Sequence, residues 1–460
     1  MKMRLAEIAK ALQVQSVDEW EQIVVTSVSF DTRTLKPGAL FIPLVGENDG
    51  HDYVPKAIEN GAVATLWQND HDKVFDDEND IFPTLSVEDC LQALQDLAGY
   101  YLHKINPKVV AVTGSNGKTT TKDMIAAILK TQFNVQKTHA NFNNHIGVPM
   151  TILGMEPNTE ALIVEMGMDH FGELDRLSRL VEPDVAVITM IGEAHIEFFG
   201  TRDKIADAKM EITHGLKEDG ALFYNGDEPL LRQRAQAVEQ ATYTFGSEEG
   251  NDVQALNVVG DEYSTSFRVK NWPEYNFVIH ILGTYNVGNA LAALSVGNHF
   301  RIPVEKMVEA LSNFDLTQNR TQWVQGNQGE RILSDVYNSN PTAAKMVLRA
   351  FSRVKTNGRR FVVLGDMLEL GNLSDQMHAD LAGVLDPERV TEVFLCGKKV
   401  AALAENLTGK FSSTRVHLYP ADHKDELISA LRKSISADDI VMLKGSHGIH
   451  LEKVLEALRK

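Results

Sequence analysis

The chain has 460 residues, room for roughly two to four domains with substantial cores. Lys plus Arg number 45 against 63 Asp plus Glu, a net charge of -18, and no basic patch stands out that would suit a nucleic acid. No apolar run approaches the roughly 20 residues of a membrane span, and charges break up the N-terminal Leu5, Ile8, Ala9, Leu12 helical pattern, unlike a secretory signal. The expectation is a cytoplasmic enzyme, monomeric, with no nucleic-acid partner and no membrane insertion. Cys90 and Cys396 lie far apart in apolar surroundings, which fits buried free thiols better than a disulfide.

Three segments follow in chain order. Residues 1–106 have strand patterns at Val24–Phe30, Ala39–Leu44 and Ala62–Trp67, an acidic turn at Asp76–Asp80 and a helical pattern from Val87 to His103. Lys104-Ile105-Asn106-Pro107 reads as a linker, because proline disfavours helix at the residue before it. Residues 107–315 begin with continuous apolar runs at Val109–Thr113, Ala161–Val164, Val185–Met190 and Ala221–Tyr224, as in parallel strands buried on both faces. The pattern then turns to alternation around Val253–Val259, Ser264–Val269 and Phe277–Leu282, which predicts an antiparallel edge. Residues 316–460 repeat a strand–helix rhythm, with strands at Arg331–Ser334, Phe361–Leu364, Val393–Leu395, Val416–Leu418 and Ile440–Leu443. The fold class is α/β, in three domains.

The chemistry centres on Val110-Ala111-Val112-Thr113-Gly114-Ser115-Asn116-Gly117-Lys118-Thr119-Thr120. A buried strand, a tight glycine turn and a helix start form a polyphosphate cradle, in which backbone N–H groups face the anion. Lys118 supplies a point charge and Thr119 a hydroxyl for Mg²⁺. Only Ser115 and Asn116 separate the two glycines, where the common nucleotide loop has four residues. Glu165, at the end of an apolar strand, suits a Mg²⁺ ligand. His195 and Lys209 have bland readings from physics alone, a loop histidine and a solvated helix lysine. For Lys209 one chemistry would change that: a neutral amine takes up CO₂ to give a carbamate, which can hold a metal. Asn286 and Asn289 lie one helical turn apart and offer donor and acceptor to an adenine edge, although Asn286 suits a helix cap equally well. Asp169-His170-Phe171-Gly172 echoes the switch motif of GTPases, but no Asn-Lys-x-Asp guanine signature accompanies it. Arg320 and Asp335 are placed to meet a phosphate and a ribose, each with a surface-loop alternative.

In this order the short loop Thr113–Thr120, Glu165-Met166-Gly167, His195, Lys209 and the Asn286/Asn289 pair resemble the Mur ligases, ATP-dependent amide-forming enzymes of peptidoglycan precursor synthesis. The resemblance covers nearly the whole chain. It implies a small UDP-binding α/β domain (1–106), a central parallel-sheet, P-loop ATPase-like domain (107–315) and a C-terminal Rossmann-like domain (316–460) that closes over ATP. Asp335-Val336-Tyr337-Asn338-Ser339-Asn340-Pro341, Val363–Gly371, Asp31-Thr32-Arg33 and Gly46–Asp52 resemble the branch that adds D-alanyl-D-alanine to UDP-N-acetylmuramoyl-tripeptide through an acyl phosphate. The resemblance implies that Gly114, Ser115, Asn116, Gly117, Lys118 and Thr119 bind ATP phosphates. Asn286 and Asn289 would meet adenine, and Arg320 and Asp335 would close from the third domain. Thr119 and Glu165 would hold one Mg²⁺, and His195 and a carbamoylated Lys209 would help hold a second, with Lys118, Glu165, His195 and Lys209 catalytic. Asp31, Thr32 and Arg33 would lie at UDP, Asn143 and Asn144 near the muramoyl diphosphate, and Tyr337, Asn338 and Asn340 at substrate. Two departures stand out: Asn319-Arg320 where the family often has Gly-Arg, and Lys444-Gly445-Ser446-His447 where it often has Lys-Gly-Ser-Arg. The rival readings are a folylpolyglutamate synthetase-like ligase and a nucleotide-dependent switch.

Overall fold

The computed structural model describes residues 1–72, 82–315, 317 and 320–459; the expected acidic turn Asp76–Asp80 and Asn319 lie outside them. The chain forms two compact units. One comprises residues 1–112, 132–186 and 211–221, the other residues 113–131, 187–210 and 222–460.

In the first unit, Met3–Arg4 pairs antiparallel with Val24–Val25. The single strand expected over Val24–Phe30 is broken at Thr26, whose N–H and Oγ1 both donate to the Gly38 carbonyl, at 2.9 and 3.3 Å. Beyond that break Ser27–Ser29 joins a different, parallel sheet with Ala39–Phe41, Ala62–Gln68 and Thr84–Val87. One apolar run thus serves two sheets, which periodicity alone does not reveal. The following helix, Cys90–Ile105, starts three residues later than its apolar pattern predicts, because the Asp89 side chain caps it by accepting from Gln92 N–H at 2.8 Å. Leu94, Leu97, Ala98 and Tyr101 form its buried stripe. It ends at Asn106, left-handed at φ 50°, just before Pro107. Lys108–Thr113 then runs parallel to Ala161–Glu165, with Val135–Lys137 beyond it. These strands are buried along almost their whole length, as their unbroken apolar runs require.

In the second unit, helix Lys118–Leu129 packs on helix Val287–His299. The alternating segments form an antiparallel meander of Val253–Gly260, Thr265–Val269 and Trp272–Ile279. The last strand starts at Trp272, earlier than expected, because the chain reverses through Lys270 and Asn271 and pairs Trp272 with Val269 at once. A six-stranded sheet follows, in the order Gln322–Gln325, Arg331–Asp335, Ile440–Lys444, Arg360–Gly365, Glu392–Cys396, Val416–Tyr419. Its first pair is antiparallel and the rest parallel. All five strands expected in this segment are present; the edge strand Gln322–Gln325, with only Trp323 and Val324 apolar, was not among them. Among the described residues no helix is long and apolar enough to cross a membrane.

His378 fixes the loop after Arg360–Gly365. It is fully buried, its Nδ1 lies 2.7 Å from the Ser374 carbonyl, and its Nε2 accepts from Met367 N–H at 2.8 Å. That pattern demands the neutral ring, and burial pushes its pKa below the ordinary range. The unfolded ring takes up a proton near its reference value of about 6.5, so this stability is present above that pH and is lost as pH falls below it. The destabilisation caused by His378→Ala should therefore shrink between pH 7.5 and pH 5, read from urea midpoints of both proteins.

Candidate active site

The phosphate loop is built in the second unit. Gly114 (φ 147°) and Gly117 (φ 83°) take conformations that favour glycine, and both are also sterically required. A Cβ on Gly114 would meet Thr189 Oγ1 at 1.8 Å, and one on Gly117 would meet Asn289 Oδ1 at 2.3 Å. Ser115 N–H donates to the Met190 carbonyl at 2.9 Å, and Thr189 Oγ1 donates to the Asn116 carbonyl, so the next strand's end pins the turn. Gly117 starts helix Lys118–Leu129 with no side-chain cap, and the first N–H groups of a helix have no intrahelical partners. Lys118 Nζ folds back to the Gly114 carbonyl at 2.7 Å. Gly117→Ala should cost about 1–2 kcal/mol from the left-handed backbone alone, and more through the clash with Asn289. Thermal unfolding and ATP-analogue titration would show both losses.

The asparagines form a chain behind this loop. Thr121 Oγ1 donates to Asn289 Oδ1 (3.2 Å), Asn289 Nδ2 to Asn286 Oδ1 (3.0 Å), and Asn286 Nδ2 to the Leu282 carbonyl (3.1 Å). The pair proposed for adenine therefore also holds the loop's helix against its neighbour.

Residues after 315 reach the same loop. Arg320 donates to Thr119 Oγ1 at 3.1 Å and stacks over the Tyr337 ring at 3.8 Å. Its Nε is buried and has no hydrogen-bond partner among the described residues, an unused donor beside the helix start. Asn116 and Asn340 exchange amide hydrogen bonds of 3.2 and 2.7 Å, while Asn340 caps its own helix by accepting from Ala343 N–H at 3.0 Å. Asp335 is held by Lys444 Nζ at 2.6 Å and Thr321 N–H at 3.2 Å. Asn338 gives its carbonyl to Lys444 at 2.8 Å and its Oδ1 to Ser339 N–H at 2.8 Å.

Lys209 is 1% exposed, and among the described residues no carboxylate acts on its charge. Burial first, and then the charge of Lys118, drive its pKa well below that of a free lysine. The solvated helix lysine that its sequence context suggests is thus replaced by a buried amine. His195 adopts φ 65°, and its Nδ1 lies 2.5 Å from Glu369 Oε2.

The first unit holds the remaining candidates. Glu165 is 1% exposed; Asn143 Nδ2 donates to its Oε1 at 2.9 Å, and its N–H donates to Thr138 Oγ1 at 2.9 Å. Asn144 Oδ1 accepts from Ile146 N–H and Gly147 N–H, at 3.2 and 2.9 Å, at the start of the next helix. Asp31 forms a fork with Arg33, Oδ1 to Nε at 2.9 Å and Oδ2 to Nη2 at 2.7 Å, which lowers its pKa. The Thr32 carbonyl accepts from Asn60 Nδ2 at 2.8 Å. Nearby, Asp49 joins His51 Nδ1 (2.7 Å) and His71 Nε2 (3.0 Å), two stacked rings that staple this turn to strand Ala62–Gln68, since His51 Nε2 accepts from Gln68 N–H at 3.3 Å.

Sequence reasoning gave no role to Thr189 or Glu369, and it named Lys444 only within the Lys444-Gly445-Ser446-His447 motif, without a partner. Thr189 and Lys444 sit at the ends of apolar runs, the position that signalled Glu165, and that signal was available.

Three family models match successive stretches of the chain. They are the Mur ligase family catalytic domain over 24–101, the Mur ligase middle domain over 112–297, and the Mur ligase glutamate ligase domain over 319–447. The UDP-N-acetylmuramoyl-tripeptide--D-alanyl-D-alanine ligase of Bacillus subtilis is 43% identical over 441 residues, 96% of this chain and 94% of the relative. The chain belongs to the Mur ligase family. The crystal structure of MurF from Acinetobacter baumannii matches this Mur ligase with a TM-score of 0.84 at 27% identity, covering 99% of this chain and 98% of that one. MurF from Thermotoga maritima, solved in complex with ADP, matches at TM-score 0.79 and 28% identity over 94% and 97% of the two chains.

Proposed function

We propose that this Mur ligase joins D-alanyl-D-alanine to UDP-N-acetylmuramoyl-tripeptide at the expense of ATP, in peptidoglycan precursor synthesis. The substrate assignment rests on the relative that is 43% identical across almost the whole chain. The observation that carries the chemistry is Lys209: an amine 1% exposed with no counter-charge among the described residues, its pKa driven down by burial first and then by the charge of the phosphate-loop lysine. A switch protein has no use for such a group, whereas a carboxylate-activating ligase can convert it to a carbamate.

The tripeptide carboxylate attacks the γ-phosphorus of ATP and displaces ADP, giving an acyl phosphate. The free amine of the dipeptide then adds to that carbonyl, loses a proton, and phosphate leaves. Lys118 and the N–H groups of the helix start offset charge on the transferring phosphoryl group, a reaction governed by positioning and electrostatics. Gly114 to Thr119 hold the phosphates, Asn286 and Asn289 the adenine edge, Arg320 a phosphate oxygen through its unused donor, and Asp335 the ribose. Thr119, His195 and carbamoylated Lys209 are proposed Mg²⁺ ligands, and Glu165 is another; their oxygen donors with one imidazole fit the ion. Mg²⁺, when bound, neutralises charge on the phosphates. Asp31, Thr32 and Arg33 are assigned to UDP, and Asn143 and Asn144 to the region of the muramoyl diphosphate. Tyr337, Asn338 and Asn340 are assigned to substrate. Domain boundaries near 107 and 316, a monomeric state and a cytoplasmic setting complete the proposal; ATP and a UDP-linked precursor are cytoplasmic reactants.

Phosphate release from ATP with UDP-N-acetylmuramoyl-tripeptide, with and without D-alanyl-D-alanine, tests the reading. Release should require both, and release independent of the dipeptide would reject it.

A further inference from the structure

We propose that Glu369 is a positioning residue that holds His195 by its Nδ1, leaving Nε2 as the ring nitrogen that can ligate a metal; the proposal rests on His195 being a metal ligand. Glu369 lies in the stretch matched by the glutamate ligase domain, and His195 in the stretch matched by the middle domain. Their side chains meet at 2.5 Å, Oε2 to Nδ1. The Nδ1 atom is buried and makes no hydrogen bond among the described residues, so the contact to Glu369 is a close ion-pair approach. Both residues adopt the left-handed backbone, φ 65° at His195 and 61° at Glu369, which non-glycine residues populate only under constraint. The constraint is visible: Glu197 N–H donates to the Glu369 carbonyl at 3.1 Å, and Gly371 packs on Glu197, where an added Cβ would lie 3.4 Å from its Cα.

A metal-ligating imidazole commonly gives its other nitrogen to a carboxylate, which fixes tautomer and ring orientation and raises ligand basicity. Here that carboxylate comes from the other matched domain. The metal site would therefore reach full strength only when residues 319–447 are docked on the phosphate-loop domain, which couples closure to ion binding.

The test is Mn²⁺ titration of the full chain with a non-hydrolysable ATP analogue, followed by electron paramagnetic resonance, for wild type, Glu369→Ala, Glu369→Gln and His195→Ala. Glu369 is 43% exposed, so its variants should fold, and melting curves check this. Glu369→Ala should weaken Mn²⁺ binding by about 10–100-fold. Glu369→Gln, which keeps an acceptor, should lose less. kcat should fall in parallel while the KM for the UDP-tripeptide holds. Unchanged Mn²⁺ affinity in Glu369→Ala, with weakened binding in His195→Ala, would overturn this proposal alone. Unchanged affinity in both would also remove the metal role of His195.

Discussion

Lys209→Met and Lys209→Arg should each lower kcat by about 10²–10³-fold, the loss typical when one preorganised electrostatic group leaves a reaction site. Methionine preserves the shape of the buried stem but cannot take up CO₂. Arginine keeps a positive charge but stays protonated at any accessible pH, so it cannot form a carbamate either. The pair separates two roles: if Lys209 acted as a cation, arginine would restore activity. The structure argues against the cation, since the amine is 1% exposed with Lys118, not a carboxylate, as its charged neighbour. Wild-type protein supplied with ¹³C-bicarbonate should show a carbamate carbon resonance that both variants lack. Normal activity in either variant would remove the carbamate.

Lys444→Met should destabilise the protein by about 3–5 kcal/mol, because it strands a buried carboxylate. Asp335 and Lys444 are register partners at the ends of adjacent parallel strands, so their side chains leave the same face together. Lys444 is 2% exposed and Asp335 11% by side chain, and their atoms lie 2.6 Å apart. The double variant Asp335→Asn/Lys444→Met should recover most of the loss, since it removes both charges and asparagine keeps the acceptor for Thr321 N–H. Guanidinium midpoints of the single and double variants give the coupling. Additive losses would mean that the pair is not the unit described here.

The parts of the fold written in local pattern were legible. The apolar runs at Val109–Thr113 and Ala161–Glu165 and the five strands of the third segment need only burial on two faces, and the two loop glycines only a turn that other residues resist. What stayed hidden depends on residues distant in sequence. Thr26 breaks a strand because of Gly38, and Asp335 is paired by Lys444, which is 109 positions away. The apolar run gave no hint that Val24–Val25 and Ser27–Ser29 belong to different sheets, and in the edge strand Gln322–Gln325 the apolar pair Trp323 and Val324 is too short to mark a strand. Lys209 is the sharpest case. Its neighbours Asp207 and Glu211 suggest a solvated helix, and only the tertiary packing shows the amine to be buried.

The proposed reaction spends ATP on activating the carboxylate of the tripeptide. It is tested most directly by labelling that terminal carboxylate with ¹⁸O and collecting the phosphate released during turnover with D-alanyl-D-alanine. If the carboxylate oxygen attacks the γ-phosphorus and the amine later displaces the phosphate, one ¹⁸O moves into each phosphate. Phosphate free of ¹⁸O would mean that water, not the substrate, takes the phosphoryl group, and would rule out the acyl phosphate.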